Sequence, residues 1–260
     1  GGGKTTGILM AFVQIAMNQE PDAKGNRKTR FAVVRNTRPQ LRDSVIKSVF
    51  DWFPPNGSTI VWRETDMILT LHFPLADGTR VYSEFMFRAL DTEQDAQRLL
   101  SVEFTAVWLS EFREIPLQLL TDALSRTGRY PSAADGGATW HGVLGESNMP
   151  VRDSDWYGYM EEERPSYTQV YKQPSGLAPN AENRDNLPAD YYEVVMEGTT
   201  LPWQQAHVLC EYPDSLEGKA VYGSSFLRSR HVASEPIRAT RFESFSPTLL
   251  IGVDQGRNPA

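Results

Sequence analysis

The sequence predicts an α/β domain with a mostly parallel sheet flanked by helices. Three observations carry this. Short β-branched and aromatic runs alternate with longer stretches of helical period. A glycine-rich turn at the start leads straight into an amphipathic stretch. Two apolar runs in the middle of the chain end abruptly in acidic or small polar residues.

The spacing predicts strands over 31–35, 59–63, 68–73, 81–88, 106–109 and 142–145, with two further strands near 168–172 and 207–211. Helices are expected over 5–18, 38–50, 92–100, 116–125, 154–163 and 188–197, the last with Pro188 near its first turn. The stretch PSGLAPNAENRDNLP, residues 174–188, is dense in Pro, Asn and Gly and reads as a loop or linker. No internal repeat is visible.

Composition narrows the function classes. The chain has 260 residues, 40% of them hydrophobic and 23% charged, which suits a folded domain and excludes wholesale disorder. With 26 Lys and Arg against 33 Asp and Glu, the net charge is -7, so nucleic acid could be held only by a local basic patch. The single cysteine, Cys210, and the scattered His72, His141, His207 and His231 match no zinc spacing, and a lone cysteine suits a reducing cytoplasm. Apolar runs such as residues 8–13 fall far short of the roughly 18 residues of a membrane span, and no signal peptide opens the chain. Most of the six tryptophans are expected to be core anchors rather than base-stacking platforms.

Gly1-Gly2-Gly3-Lys4-Thr5-Thr6 matches the latter part of a G-x-x-x-x-G-K-[ST] phosphate loop whose first glycine would lie three residues upstream. Glycines let the backbone approach phosphate oxygens and aim N–H groups at them. Lys4 would reach the β and γ phosphates and the Thr5 hydroxyl would meet Mg²⁺, at the positive end of the helix that follows. The alternative is a flexible glycine-rich terminus. The helix and the strand at 31–35 that follow argue for a P-loop NTPase fold.

The run Thr105-Ala106-Val107-Trp108-Leu109-Ser110-Glu111 is an apolar strand ending in an acid, the layout that sets a carboxylate beside a γ-phosphate. Ser110 stands where an aspartate is usual, leaving Glu111 to activate water. A third strand, ending Glu146-Ser147-Asn148, suits coupling of hydrolysis to movement, or is simply a strand before the Pro150 turn.

In order, GGGKTT at Gly1, VVRNTRPQLRDSV at Val33, EFTAVWLSEFREIP at Glu103, SRTGRYP at Ser125, GVLGESNMP at Gly142, ADYYEVVMEG at Ala189, GKAVYGSSF at Gly218 and IGVDQGRNPA at Ile251 resemble the large subunit of the DNA-packaging terminase of tailed bacteriophages. The resemblance implies an ATPase motor joined to a ribonuclease H-like nuclease, driving double-stranded DNA into a procapsid in the host cytoplasm. Its implied partners are the portal protein, the small terminase subunit and copies of itself in a ring, with no membrane. ATP and Mg²⁺ serve the motor, and Mg²⁺ or Mn²⁺ the nuclease.

Carried onto this sequence, the resemblance implies nucleotide binding by Gly1, Gly2, Gly3, Lys4, Thr5 and Thr6, Mg²⁺ binding by Thr5, catalysis by Glu111, and coupling by Ser147 and Asn148. Asp254 matches the first metal-binding aspartate of the nuclease. One aspartate cannot hold two cations, so this chain is not expected to cut DNA. An arginine that stabilises the transferred phosphoryl group is sought among Arg35, Arg98, Arg126 and Arg129, with Arg98 taken as the catalytic one. The expected domains are a motor over 1–173 lacking its first strand, a linker and lid-like region over 174–245, and the first nuclease strand over 246–260. The chain thus reads as a segment of a longer protein. The alternatives are another P-loop enzyme, such as a helicase or nucleotide kinase, and a capsid-interaction module with a vestigial loop.

Overall fold

The computed structural model describes residues 3–91 and 93–214, apart from the side chains of residues 93, 94, 98 and 100. These belong to a compact unit, Gly1–Leu216, distinct from a second, Glu217–Ala260. The nuclease strand expected over 246–260 and Asp254 therefore lie outside the described residues, as do Gly1 and Gly2.

A helix, α1 (Lys4–Asn18), precedes the sheet. Six strands follow: β1 (Asn26–Arg35), β2 (Ile60–Arg63), β3 (Ile68–Pro74), β4 (Arg80–Ala89), β5 (Ala106–Ser110) and β6 (Gly142–Glu146), arranged β2-β3-β4-β1-β5-β6. β1 runs parallel to β4 and β5, and β5 parallel to β6. β2-β3-β4 are antiparallel because short turns join them. In the β3–β4 turn the Asp77 carboxylate accepts from the Thr79 backbone N–H at 2.9 Å, and Gly78 takes a φ of 84°.

The central strands are covered on both faces, as parallel strands usually are. Period two sends Phe31 and Val33 of β1 and Ala106 and Trp108 of β5 to one face, where they meet Leu9, Phe12 and Ala16 of α1. The Phe12 ring stands edge-on to Phe31 with centroids 4.7 Å apart and stacks near Trp108 at 6.1 Å. Ala32, Val34, Val107 and Leu109 point to the opposite face, against Leu99, Phe104, Leu119 and Trp156. The result is a helix–sheet–helix sandwich in which α1 covers the face holding the odd residues of β1 and the even residues of β5.

Every strand expected between 31 and 145 forms, and β1 begins earlier than its apolar run. The strands expected near 168–172 and 207–211 do not. Tyr171 is 86% exposed, so that segment has no buried face to hold it in a sheet. The second lies in a helical run, Leu201–Gln204 continuing as a π-helix over Gln205–Leu209, with Pro202 in its first turn and Ala206 and Val208 buried. The helix expected over 38–50 forms in three pieces, Arg38–Gln40, a π-helix Leu41–Ile46, and Lys47–Trp52. The helix expected from Pro188 begins only at Tyr191, whose N–H bonds back to the Pro188 carbonyl. Trp108 and Trp156 are core anchors as expected, whereas Trp52 and Trp140 are exposed.

Candidate active site

Gly3 opens α1 in the left-handed region, with φ 64° and ψ 17°, a conformation a side chain resists. No side chain caps this helix start, and its first turn holds Lys4, Thr5, Thr6 and Gly7 without an acid. The first backbone N–H groups of a helix have no partner within the helix. They therefore leave a positive end beside the Lys4 ammonium, chemistry that suits an anion.

The carboxyl ends of β5 and β6 supply the other half. Ser110 and Glu146 are direct neighbours in the parallel register, and period two turns both toward the α1 face, after Trp108 and Leu144. The Ser110 hydroxyl donates to Glu146 Oε1 at 2.8 Å. Glu146 is only 6% exposed. Burial pushes its carboxyl up to about 7 and the nearby Glu111 charge pushes the same way, against the Ser110 hydrogen bond and the positive charges of Lys4 and Arg35.

Glu111 itself, just past the end of β5, has φ 50° and ψ 55°, rare for a residue with a side chain. Its Oε2 accepts from the Ser147 hydroxyl at 3.3 Å and from the Asn148 N–H at 3.4 Å. The other end of Asn148 accepts from Lys4 Nζ through Oδ1 at 3.3 Å. One residue therefore touches both the ammonium of Lys4 and the carboxylate of Glu111, and Lys4, Glu111, Ser147 and Asn148 come together as the sequence predicts. Thr5 and Thr6 stand in the first turn of α1 beside them.

The arginines separate by position. The Arg126–Tyr130 backbone is hydrogen-bonded to Phe104 and Thr105, so Arg126 and Arg129 stand at the start of β5, a strand's length from Glu111. At the near end, Arg35 Nη1 donates to the Ser110 carbonyl at 3.3 Å, Nη2 pairs with Glu114 at 3.5 Å, and the buried Nε has no partner. Arg98 lies in the helix Glu93–Leu100, and its side chain is outside the described residues.

Sequence reasoning passes over Glu146, Arg113 and His207. Arg113 Nε lies 4.0 Å from Glu111 Oε2, while its Nη1 donates to the Met149 carbonyl at 3.4 Å and its Nη2 meets His207 Nε2 at 3.2 Å. His207 stacks on Trp203, four residues earlier, at 4.4 Å, and its Nδ1 meets the Trp203 carbonyl at 2.9 Å. Burial and the Arg113 charge lower its pKa against the Trp203 hydrogen bond and the Glu111 charge. Only the close spacing of Arg113 to Glu111 and the i, i+4 spacing of Trp203 and His207 could have signalled these contacts.

The donor set fits a nucleoside triphosphate with a hard divalent cation: an uncapped helix start, an ammonium, threonine hydroxyls and two carboxyls. Among the described residues no group of three or more His, Cys, Asp or Glu side chains could hold a metal ion, so a cation here would need phosphate oxygens as well. Nor, among them, is any helix long and apolar enough to cross a membrane.

No protein-family model matches the sequence, and no curated protein does either. Solved structures do match. The large terminase from a thermophilic bacteriophage is similar in one crystal form with a TM-score of 0.60 at 14% identity, over 82% of this chain and 46% of that one. In another crystal form of the same terminase the TM-score is 0.57 at 15% identity, over 82% and 45%. The chain thus spans just under half the length of the terminase it matches. At this identity the likeness is one of fold, and the fold is similar to that of just under half of a phage large terminase.

Proposed function

We propose that the chain is the ATP-hydrolysing part of a DNA-packaging motor. The supporting observation is that Asn148 touches Lys4 and Glu111 at once, at 3.3 Å and 3.4 Å, so that a phosphate-binding cation and a water-activating carboxylate share one site. In this reading Gly3, Lys4, Thr5 and Thr6 hold the phosphates together with the N–H groups that open α1. The Thr5 hydroxyl would help hold Mg²⁺, which would supply neutralisation of phosphate charge.

Glu111 takes the proton of the attacking water, and its unusual backbone holds the carboxylate at the strand end. Lys4 exchanges Asn148 Oδ1 for phosphate oxygen when nucleotide arrives, which frees Asn148 to act with Ser147 in coupling. Arg35 and Arg113 bring positive charge to the same end of the sheet. DNA translocation, the portal and small-subunit contacts, the ring, a lid role for 174–245, catalysis by Arg98 and a nuclease beginning at Asp254 extend this reading through the terminase resemblance.

The test is ATP binding by calorimetry with turnover measured on double-stranded DNA. Lys4→Ala is expected to weaken binding at least about tenfold, the scale of a lost hydrogen bond to a charged group. Glu111→Gln is expected to keep binding and lose about 10²- to 10⁴-fold in turnover, the scale of a general base. Parent-like binding and turnover in both variants sinks the proposal.

A further inference from the structure

Glu146 is a buried acid that the reading above leaves unused. More than nine-tenths of it is hidden from solvent. Its Oε1 accepts from Ser110, and among the described residues the carboxylate forms no direct ion pair, although the charges of Lys4 and Arg35 lie close enough to favour its ionised form. A carboxylate desolvated in this way without a direct ion pair is costly, and such groups are ordinarily paired or engage a metal. The surroundings say which. β6 lies beside β5 with Glu146 opposite Ser110, on the sheet face that carries α1, whose first residue is Lys4. Ser110 stands where the acid that anchors a metal's water shell is expected, and its hydroxyl instead reaches across to the carboxyl one strand away.

We propose that Glu146 has taken over that duty: its carboxylate binds the water shell of the divalent cation that accompanies the nucleotide, with Ser110 fixing the orientation of the carboxyl group. The inference rests on the nucleotide reading above. It also accounts for a serine at the end of β5 without loss of the metal, because the acid is displaced by one strand and kept on the same face. The serine contributes the hydrogen bond that orients a carboxylate belonging to its neighbour, an outer-shell role that typically changes metal affinity about 10- to 100-fold.

The experiment is a Mg²⁺ titration of binding of a fluorescent ATP analogue, repeated in EDTA, on the parent, on Glu146→Gln and on the double variant Ser110→Asp with Glu146→Gln. Glutamine keeps the shape and the acceptor for Ser110 but not the charge. The expected result is a half-saturating Mg²⁺ concentration raised about 10- to 100-fold in Glu146→Gln. Binding in EDTA should be unchanged. The double variant, which moves the carboxylate back one strand, is expected to restore most of the Mg²⁺ dependence. A parent-like Mg²⁺ titration in Glu146→Gln overturns the proposal, as does an equal loss of binding with and without metal, which marks a purely structural role. Should Glu146→Gln fail to fold alone, the double variant decides: folded and parent-like in Mg²⁺ supports the proposal, folded and Mg²⁺-insensitive overturns it. A parent that binds no analogue at any Mg²⁺ concentration fails the nucleotide reading itself.

Discussion

Replacing Glu146 by glutamine should change the pH dependence of stability in a direction opposite to that of ordinary surface acids. The folded protein holds the Glu146 proton up to about pH 7, because burial strips its carboxylate of water and Glu111 adds repulsion. The unfolded chain releases that proton near the ordinary value of 4.5. Between these values the folded state binds the extra proton, so stability falls as pH rises from 4.5 and the loss is complete above 7. With one pKa unit equal to 1.36 kcal/mol, the whole loss is about 3 kcal/mol.

Glutamine has no proton to release and loses nothing, so Glu146→Gln should match the parent near pH 4.5 and exceed it by up to about 3 kcal/mol at pH 8. At a urea m-value of about 3 kcal/mol per M, this is a midpoint shift of about 1 M. His207, whose folded pKa is depressed, imposes a slope of the other sign at the acid side, but it is common to both proteins and cancels in the difference. The assay is urea unfolding followed by tryptophan fluorescence, at steps of pH, in EDTA and without nucleotide. A stability difference that stays constant across pH, or a variant less stable than the parent at pH 8, refutes the reasoning that burial keeps the Glu146 proton on in the folded state.

Phe12→Ala should cost about 3 to 5 kcal/mol in the same unfolding assay, because the ring is fully buried between Phe31 and Trp108 and leaves a hole that a β-sheet cannot close. A cost below about 1 kcal/mol would mean that α1 does not seat on this face. Arg113→Ala should lower ATP turnover about tenfold while leaving nucleotide binding nearly unchanged, since it removes a charged donor near Glu111 without touching α1. Turnover equal to the parent's would leave Arg113 as a strut between Met149 and His207.

The parts of the fold that were legible in the sequence are those where burial imposes a simple period. β1, β3, β4 and β5 announce themselves as apolar runs because both of their faces, or nearly so, are covered. α1 is legible because Leu9, Phe12 and Ala16 recur at helical spacing behind a glycine turn. The 201–209 helix was not, since Val208, Leu209 and Cys210 make a short apolar run that imitates a strand over so narrow a window. The site was half legible. Lys4 and Glu111 stand at punctuated places, a glycine loop and the end of an apolar strand. Glu146 instead depends on which residue of β6 faces which residue of β5, and Arg113 and His207 on a long-range contact, neither of which a single sequence records.

In the proposed ATP-hydrolysing reading, these long-range contacts bear on how a chemical step is passed on. Asn148 accepts from Lys4 through Oδ1 and donates its N–H to Glu111, so in that reading whatever Lys4 binds bears on the residue that holds the Glu111 carboxylate. The next residue, Met149, donates its N–H to the Ala206 carbonyl at 3.4 Å and accepts from Arg113, and Arg113 reaches His207. The segment 147–149, whose Ser147 and Asn148 touch Glu111, is thus linked to Ala206 directly and to His207 through Arg113. A shift of Asn148 away from Lys4 would bear on the Glu111 contacts and, through Met149, on the 201–209 helix. In the proposed reading, the bond between Met149 and Ala206 is one route by which hydrolysis reaches that helix.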